Sequence, residues 1–127
     1  MEELKIGLIK KCKREVKREE LADKVGSGVL KVYSTPSMIA FMEYTSEECV
    51  NPLLEEGETT VGIAVDIKHI KATLVAKKVE CISELIEIDG KKLKFKLTVS
   101  DEDGKIGIGN HTRFIVNSKE FMKKIKK

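Results

Sequence analysis

The sequence predicts a single α+β domain over residues 1–127, in which one long helix packs against a curved antiparallel sheet. A helical pattern with start and stop signals spans residues 34–54. Within residues 91–100, alternation predicts a strand with Lys92, Lys94 and Lys96 outward and Leu93, Phe95, Leu97 and Val99 inward. The hydrophobic content of 41% in 127 residues is enough for one buried core.

The long helix has two candidate N-caps, Ser34 and Thr35, and Pro36 in its first turn, where a missing N–H costs nothing. If Ser34 is the cap, the Thr35 hydroxyl is free; if Thr35 is the cap, its oxygen is engaged. Pro52 ends the helix. At 100° per residue one apolar stripe forms, made of Met38, Ile39, Met42, Ser46, Cys49, Val50 and Leu53.

The remaining segments are mostly extended and predict a meander after the helix. Asp89-Gly90 is a hairpin signal, and Ser118 is a candidate cap for a short C-terminal amphipathic helix. The predicted strands are 4–17, for which a helix is the alternative, 59–70, 75–88, 91–100 and 106–117. A sheet of this size leaves an edge to cover, which dimerisation would do.

One of these strands carries a histidine on its apolar side. Alternation places His69 on one face together with Val61, Ile63, Val65 and Ile67. A histidine in such a place is more often a hydrogen-bonded core residue than a catalyst. Both interpretations remain open from the residues alone.

Three other residues are candidates for chemistry. Glu43 borders the apolar stripe of the helix. A carboxylate at this margin serves as a base or nucleophile, or it is an ordinary surface side chain whose carboxylate is solvated. His111 and Arg113 share one side of the last strand with two glycines, which suggests close approach of a ligand or another backbone. Arg113 offers a fixed cation for an anionic ligand, with a surface salt bridge as the alternative.

Composition excludes several functions. The 24 Lys+Arg nearly balance the 21 Asp+Glu, which argues against nucleic-acid binding, and no apolar run is long enough to cross a membrane. Cys12, Cys49 and Cys81 are far apart and predict reduced thiols and a cytoplasmic location. The two distant histidines give no recognisable metal-ligand set.

Three segments carry a resemblance when taken in order: "STPSMIAFMEYTSEECV", "EEGETTVGIAVDIKHIKAT" and "ELIEIDGKKLKFKLTVSDEDGKIGIGNHTRFIV". Together, from about residue 29 to residue 116, they resemble the hotdog-fold thioesterases of the fluoroacetyl-CoA thioesterase family. The resemblance implies a hotdog fold, a homodimer or higher homo-oligomer, and hydrolysis of a short acyl-CoA at the dimer interface. It implies no cofactor, because coenzyme A is part of the substrate.

The resemblance also implies site residues: Thr35, Glu43 and His69 as the catalytic set, and Gly62 and Arg113 as substrate contacts. Fluoroacetyl-selective relatives have an aromatic-bearing lid before the threonine, whereas this segment has no Phe. We therefore expect another short acyl group.

The spacing of Thr35 and Glu43 along the chain limits how the two residues can meet in one site. Eight positions of regular helix separate Thr35 from Glu43 by about 12 Å. Either the chain around Thr35 is non-helical, or Thr35 of one subunit faces Glu43 of the partner subunit. Two other functions fit the same scaffold: a non-catalytic acyl-CoA-binding module, and a hydratase or dehydratase.

Overall fold

The computed structural model describes residues 3–126 and shows a five-stranded antiparallel sheet with the long helix on one face. Short 3-10 turns follow the first strand and the long helix, at Arg18–Glu20 and Asn51–Leu53. The elements in chain order are β1 (Ile9–Glu15), α1 (Ala22–Val25), α2 (Thr35–Val50), β2 (Glu58–His69), β3 (Lys78–Asp89), β4 (Lys92–Asp101), β5 (Gly104–Asn117) and α3 (Ser118–Ile125).

The strands are arranged in the order β1-β3-β4-β5-β2. A meander joins β3, β4 and β5, but β2 pairs with β5 at the far edge and not with β3, so the predicted continuous meander is wrong for β2. Alternating side chains specify which face a residue occupies, whereas they do not specify which strand becomes its neighbour. Consequently β1 and β2 are the two edge strands.

The core lies between α2 and the inner, helix-facing side of the sheet. The predicted inward residues of β4 are all buried, as are most residues of the predicted helix stripe. Phe41 and Thr45 are buried although the stripe omits them, because α2 lies against both β1 and β3. The Thr45 hydroxyl donates to the Phe41 carbonyl at 2.8 Å, which satisfies a buried polar group. The helix buries Met38, Phe41, Met42, Thr45, Ser46, Cys49 and Val50.

A β-bulge changes the face pattern of β2. The register with β5 shifts between Gly62 and Ala64, so one residue is inserted and the parity of the inner face reverses there. His69 does face the helix, as predicted, but Val61 lies on the opposite face, and Gly62 takes the inner side opposite Arg113. The predicted uninterrupted alternation is therefore wrong before the bulge.

The N-cap of the C-terminal helix lies one residue earlier than predicted. Asn117 is the N-cap, and its side chain accepts a hydrogen bond from the Glu120 amide at 3.0 Å. Ser118 is the first helical residue. Within residues 3–126, no helix combines the length and apolar character that crossing a bilayer requires.

Gly109 marks a close approach of β5 to β2 and gives a stability prediction. A Cβ at this position would lie 2.2 Å from the Asp66 carbonyl oxygen and 2.8 Å from the Ile67 Cα. These are backbone atoms, so Gly109→Ala is expected to lower the free energy of unfolding by about 3 kcal/mol or more, as measured by urea denaturation. Gly28→Ala is the control, because its Cβ meets only the Ala22 Cβ at 3.4 Å. Equal midpoints for the two variants would contradict the prediction.

Candidate active site

The start of α2 resolves the two capping alternatives. Ser34 is the N-cap, and its Oγ accepts a hydrogen bond from the Ser37 amide at 3.1 Å. Thr35 is the first helical residue, and its hydroxyl is not used for capping. The side chain is therefore available for chemistry.

Thr35 and His69 form a hydrogen-bonded pair. The Thr35 Oγ1 lies 2.8 Å from the His69 Nδ1, at the point where β2 ends beside the start of α2. Burial lowers the pKa of His69, whereas hydrogen bonding to the backbone of Lys71 raises it by a smaller amount. The net pKa is lowered, so the ring is neutral near pH 7. The edge of His69 also meets the ring of Tyr33, with centroids 6.4 Å apart.

The neutral His69 ring has one proton, and its position decides what Thr35 can do. If the proton is on Nε2, Nδ1 accepts the Thr35 hydroxyl hydrogen. If it is on Nδ1, that N–H donates a hydrogen bond to the Thr35 Oγ1, and the Thr35 hydroxyl hydrogen points elsewhere. The Nε2 atom is buried and has no hydrogen-bond partner within residues 3–126. A buried, unpartnered ring nitrogen in a polar site is suited to binding a ligand or transferring a proton.

The helix start offers fewer backbone donors than an ordinary one. Pro36 has no N–H, and the Ser37 amide is already bonded to Ser34. Of the first three helical positions, only the Thr35 amide lacks a hydrogen-bond acceptor within residues 3–126. Stabilisation of an oxyanion here would thus depend on one amide and the Thr35 hydroxyl.

A cavity of about 330 Å³ opens beside the Thr35–His69 pair. Apart from the pair, its walls include the small side chains of Ala22, Ser27 and Ala72. The pair therefore faces a space that a small ligand can enter.

Glu43, Gly62 and Arg113 form a second group, joined by His111. The Glu43 Oε2 lies 3.8 Å from the Arg113 Nη1 and 3.9 Å from the His111 Nε2, and the Glu43 side chain is 41% exposed. A Cβ on Gly62 would lie 2.7 Å from the Glu43 carboxylate. The absence of a side chain at Gly62 is thus what leaves room for the carboxylate.

Arg113 is buried and held by Thr60. The Arg113 Nε donates to the Thr60 Oγ1 at 2.7 Å, and Nη2 donates to the Thr60 carbonyl at 2.9 Å. Thr60 was not among the predicted site residues, because uninterrupted alternation along β2 places it on the outer face. A bulge at Gly62, a glycine within a strand pattern, is the signal by which it can be found.

The two groups are separated within one chain. Thr35 and Glu43 both belong to α2, so about 12 Å of helix axis and roughly 80° of rotation separate them. The alternative in which Thr35 lies outside the helix is therefore wrong. Within residues 3–126, no hydrogen bond or ion pair joins Thr35 or His69 to Glu43.

The chain is similar in sequence to known thioesterases. A family model described as fluoroacetyl-CoA-specific thioesterase matches residues 16–119. The chain belongs to this family. It is 30% identical over 95 residues to the fluoroacetyl-CoA thioesterase of Streptantibioticus cattleyicolor, which covers 75% of this chain and 68% of that protein.

Solved structures agree with the family in fold. A structure of the fluoroacetyl-CoA thioesterase superimposes with a TM-score of 0.94 at 23% identity, over 98% of this chain and 97% of that one. A hot-dog-like protein from Thermanaerovibrio acidaminovorans matches with a TM-score of 0.87 at 16% identity, over 94% and 89% of the two chains. The predicted hotdog fold and the assignment as an acyl-CoA thioesterase are confirmed, whereas the roles of individual residues stay predictions.

Both histidines give a prediction for the pH dependence of stability. Burial lowers the pKa of His69 and of His111 below the ordinary value of 6.5, and the chain has no other histidine. Below pH 6.5 the unfolded chain therefore binds more protons than the native state, and the free energy of unfolding falls as the pH falls. Urea denaturation at about pH 7.5, 6.5 and 5.5 measures this. The double variant His69→Gln/His111→Gln should flatten the dependence, and a flat wild-type profile would contradict the prediction.

Proposed function

We propose that the protein hydrolyses short acyl-CoA thioesters as a homodimer, with Thr35 and His69 of one subunit acting together with Glu43 of the partner subunit. The observation that carries this proposal is the 2.8 Å contact between the Thr35 hydroxyl and the neutral His69 ring, beside a cavity of about 330 Å³. A hydroxyl paired with an imidazole at a helix start is suited to a reacting carbonyl group.

The reaction adds water across the thioester and yields a carboxylic acid and free coenzyme A. With the His69 proton on Nδ1, the Nδ1–H group donates a hydrogen bond to the Thr35 oxygen, and the Thr35 hydroxyl donates its own hydrogen bond to the thioester oxygen. The Thr35 amide adds a second donor as negative charge develops on that oxygen. The His69 Nε2 is then free to accept a proton from water and return it to the departing thiolate.

Glu43 has two roles that fit this scheme. As a base, its carboxylate takes the place of His69 Nε2: it removes the proton from the attacking water and returns that proton to the departing thiolate. As a nucleophile, it attacks the thioester carbon, expels the thiolate and forms an anhydride that water then cleaves. In both roles Arg113, 3.8 Å away, fixes the orientation of the carboxylate. No metal or further cofactor takes part in either route.

The assignment of Glu43 to the partner subunit rests on the edge strand β2. Ile63 and Val65 are 53% and 45% exposed on this strand, whose outer edge has no pairing partner within residues 3–126, and such exposure is unusual for an edge left in water. Antiparallel pairing of two β2 strands, centred between residues 65 and 66, would bury these side chains. It would also set Gly62, the neighbour of Glu43, opposite His69 of the partner subunit.

The proposed acyl group is short. The cavity beside Thr35 has a volume of about 330 Å³ and is bounded by Val32, Tyr33 and Ile70 as well as by small side chains, and the segment that leads into α2 contains no Phe. An acyl chain of many carbons would have to leave this space for solvent, which would forfeit about 0.8 kcal/mol for each methylene left unburied.

The test measures hydrolysis of a series of saturated acyl-CoAs from acetyl to octanoyl. Release of the free thiol of coenzyme A is the readout. We expect kcat/KM to be highest among the shortest members and to fall with chain length. Tight binding of acyl-CoA without thiol release would support the non-catalytic module instead. Hydration of crotonyl-CoA without thiol release would support the hydratase.

A further inference from the structure

His111 belongs to neither the implied catalytic set nor the implied substrate contacts, yet both of its ring nitrogens are bonded. Its Nδ1 lies 2.8 Å from the Ala64 carbonyl oxygen, and its Nε2 lies 3.1 Å from the Arg113 Nη1. A carbonyl oxygen only accepts, so Nδ1 must carry the hydrogen. A guanidinium only donates, so Nε2 must be unprotonated. These two bonds together require a neutral ring.

The bond from Arg113 to His111 determines where the guanidinium points. Nε and Nη2 are both held by Thr60, so Thr60 fixes one side of the group. On the other side, Nη1 makes its only hydrogen bond within residues 3–126 to His111, and Nη1 is also the atom nearest Glu43, at 3.8 Å. Loss of this acceptor would leave the guanidinium fixed on the Thr60 side alone.

We propose that His111 is a positioning residue, whose neutral imidazole holds the Arg113 guanidinium towards Glu43 and the substrate. This inference deepens the proposed function and rests on it. His111 transfers no proton in the reaction, since its two nitrogens are already engaged.

The ring of His111 is itself held in place. The ring of Phe95 on β4 lies beside it, with the two ring planes inclined by 30° and centroids 6.4 Å apart. On the β2 side, a Cβ at Gly62 would approach the His111 Cε1 to 3.1 Å, so a larger residue there would press on the ring. His111 is 1% exposed. It therefore forms a rigid acceptor.

Protonation of His111 would break the arrangement. The charged groups that face it are Arg113 on its own strand and Glu43 on α2, while Glu47 on α2 acts on Arg113. A proton on Nε2 would point at Arg113 and bring two cations together, which the partly exposed Glu43 at 3.9 Å compensates only weakly. Acid pH should therefore release Arg113 and weaken substrate binding.

Two substitutions separate the two bonds of His111. In His111→Asn the amide nitrogen takes the place of Nδ1 and can still donate to Ala64, but the acceptor for Arg113 is lost. In His111→Gln the amide oxygen takes the place of Nε2 and can still accept from Arg113. We expect KM to rise about 10- to 100-fold in His111→Asn, with kcat less affected, and to remain within about threefold of wild type in His111→Gln.

The same variants are tested with Arg113 removed and at acid pH. In an Arg113→Met background, His111→Asn should have no further effect on KM, because the partner it positions is gone. Wild-type KM should rise once the pH falls below the lowered pKa of His111, which lies under its ordinary value of 6.5, while KM of His111→Gln should stay flat. A KM for His111→Asn that equals the wild-type value, or an equal loss in both His111 variants, would overturn the proposal.

A measurement without substrate keeps this inference separate from the proposed function. Side-chain ¹⁵N NMR should show His111 as the neutral Nδ1–H tautomer at pH 7, and the Arg113 Nη1 hydrogens slowed in rotation and exchange. His111→Asn should remove that protection and His111→Gln should keep it. A His111 ring with its hydrogen on Nε2 would overturn the positioning role even if acyl-CoA is hydrolysed. If the wild type hydrolyses no acyl-CoA, the proposed function fails while the spectra still decide the role of His111.

Discussion

Replacement of His69 by alanine is expected to lower kcat for acyl-CoA hydrolysis by about 10²- to 10⁴-fold, the usual contribution of a positioned acid–base group. The expected cause is loss of both the hydrogen bond to Thr35 and the buried, unpartnered Nε2 atom. Steady-state kinetics on the best short acyl-CoA measures the effect. KM should change little, because His69 is assigned to the reaction and not to binding.

Variants at Thr35 provide the matched control for this result. Thr35→Val removes the hydroxyl at nearly constant volume and should lose activity to a similar extent, whereas Thr35→Ser keeps the hydroxyl and should retain most of it. Because the two side chains act as a pair, the Thr35→Val/His69→Ala double variant should be little worse than either single variant. Wild-type kcat in a correctly folded His69→Ala protein would refute the catalytic assignment.

Mixing two inactive variants should restore activity. If each site takes Thr35 from one subunit and Glu43 from the other, a heterodimer of Thr35→Val and Glu43→Gln chains has one site with both substitutions and one site with neither. Random reassortment makes half of the dimers mixed, so about a quarter of wild-type activity should return. This is a large effect, because the separate variants start near zero.

The control for the mixing experiment is a pair of variants whose substituted residues belong to the same half-site. Thr35→Val mixed with His69→Ala should not recover, because both residues are assigned to the same half-site, 2.8 Å apart in one chain. Size-exclusion chromatography of differently tagged chains confirms that mixed dimers form. Mixed dimers that remain inactive would place all three residues in one subunit and would overturn the assignment of Glu43 to the partner subunit.

The local structure of the chain was largely predictable. Ser34 was one of two cap candidates, and the residue with the better cap geometry left Thr35 free. The hairpin predicted at Asp89-Gly90 exists, although its two-residue loop is residues 90–91, one position later. These features succeed because caps and turns depend on the side chains and backbone angles of adjacent residues.

The candidate site was predictable only in part. The family resemblance implies five site residues, and the fold brings them into two groups: Thr35 with His69, and Glu43 with Gly62 and Arg113. The residues by themselves left His69 and Arg113 open between a structural and a functional role. Neither Thr60 nor the positioning bond of His111 followed from the sequence, because both depend on the bulge and on the pairing of β2 with β5.

The amino-acid sequence was enough to predict the α2 helix with two candidate caps, most of the strand alternation, and membership of the thioesterase family. The sheet order, the inner-face parity of β2 and the acceptors of Arg113 became visible only in the folded chain. The reason is the range of the interactions: 34 residues separate Thr35 from His69, and 53 separate Thr60 from Arg113. Periodicity and caps report on neighbours a few residues away, whereas contacts across such distances are set by which strands pair and in which register.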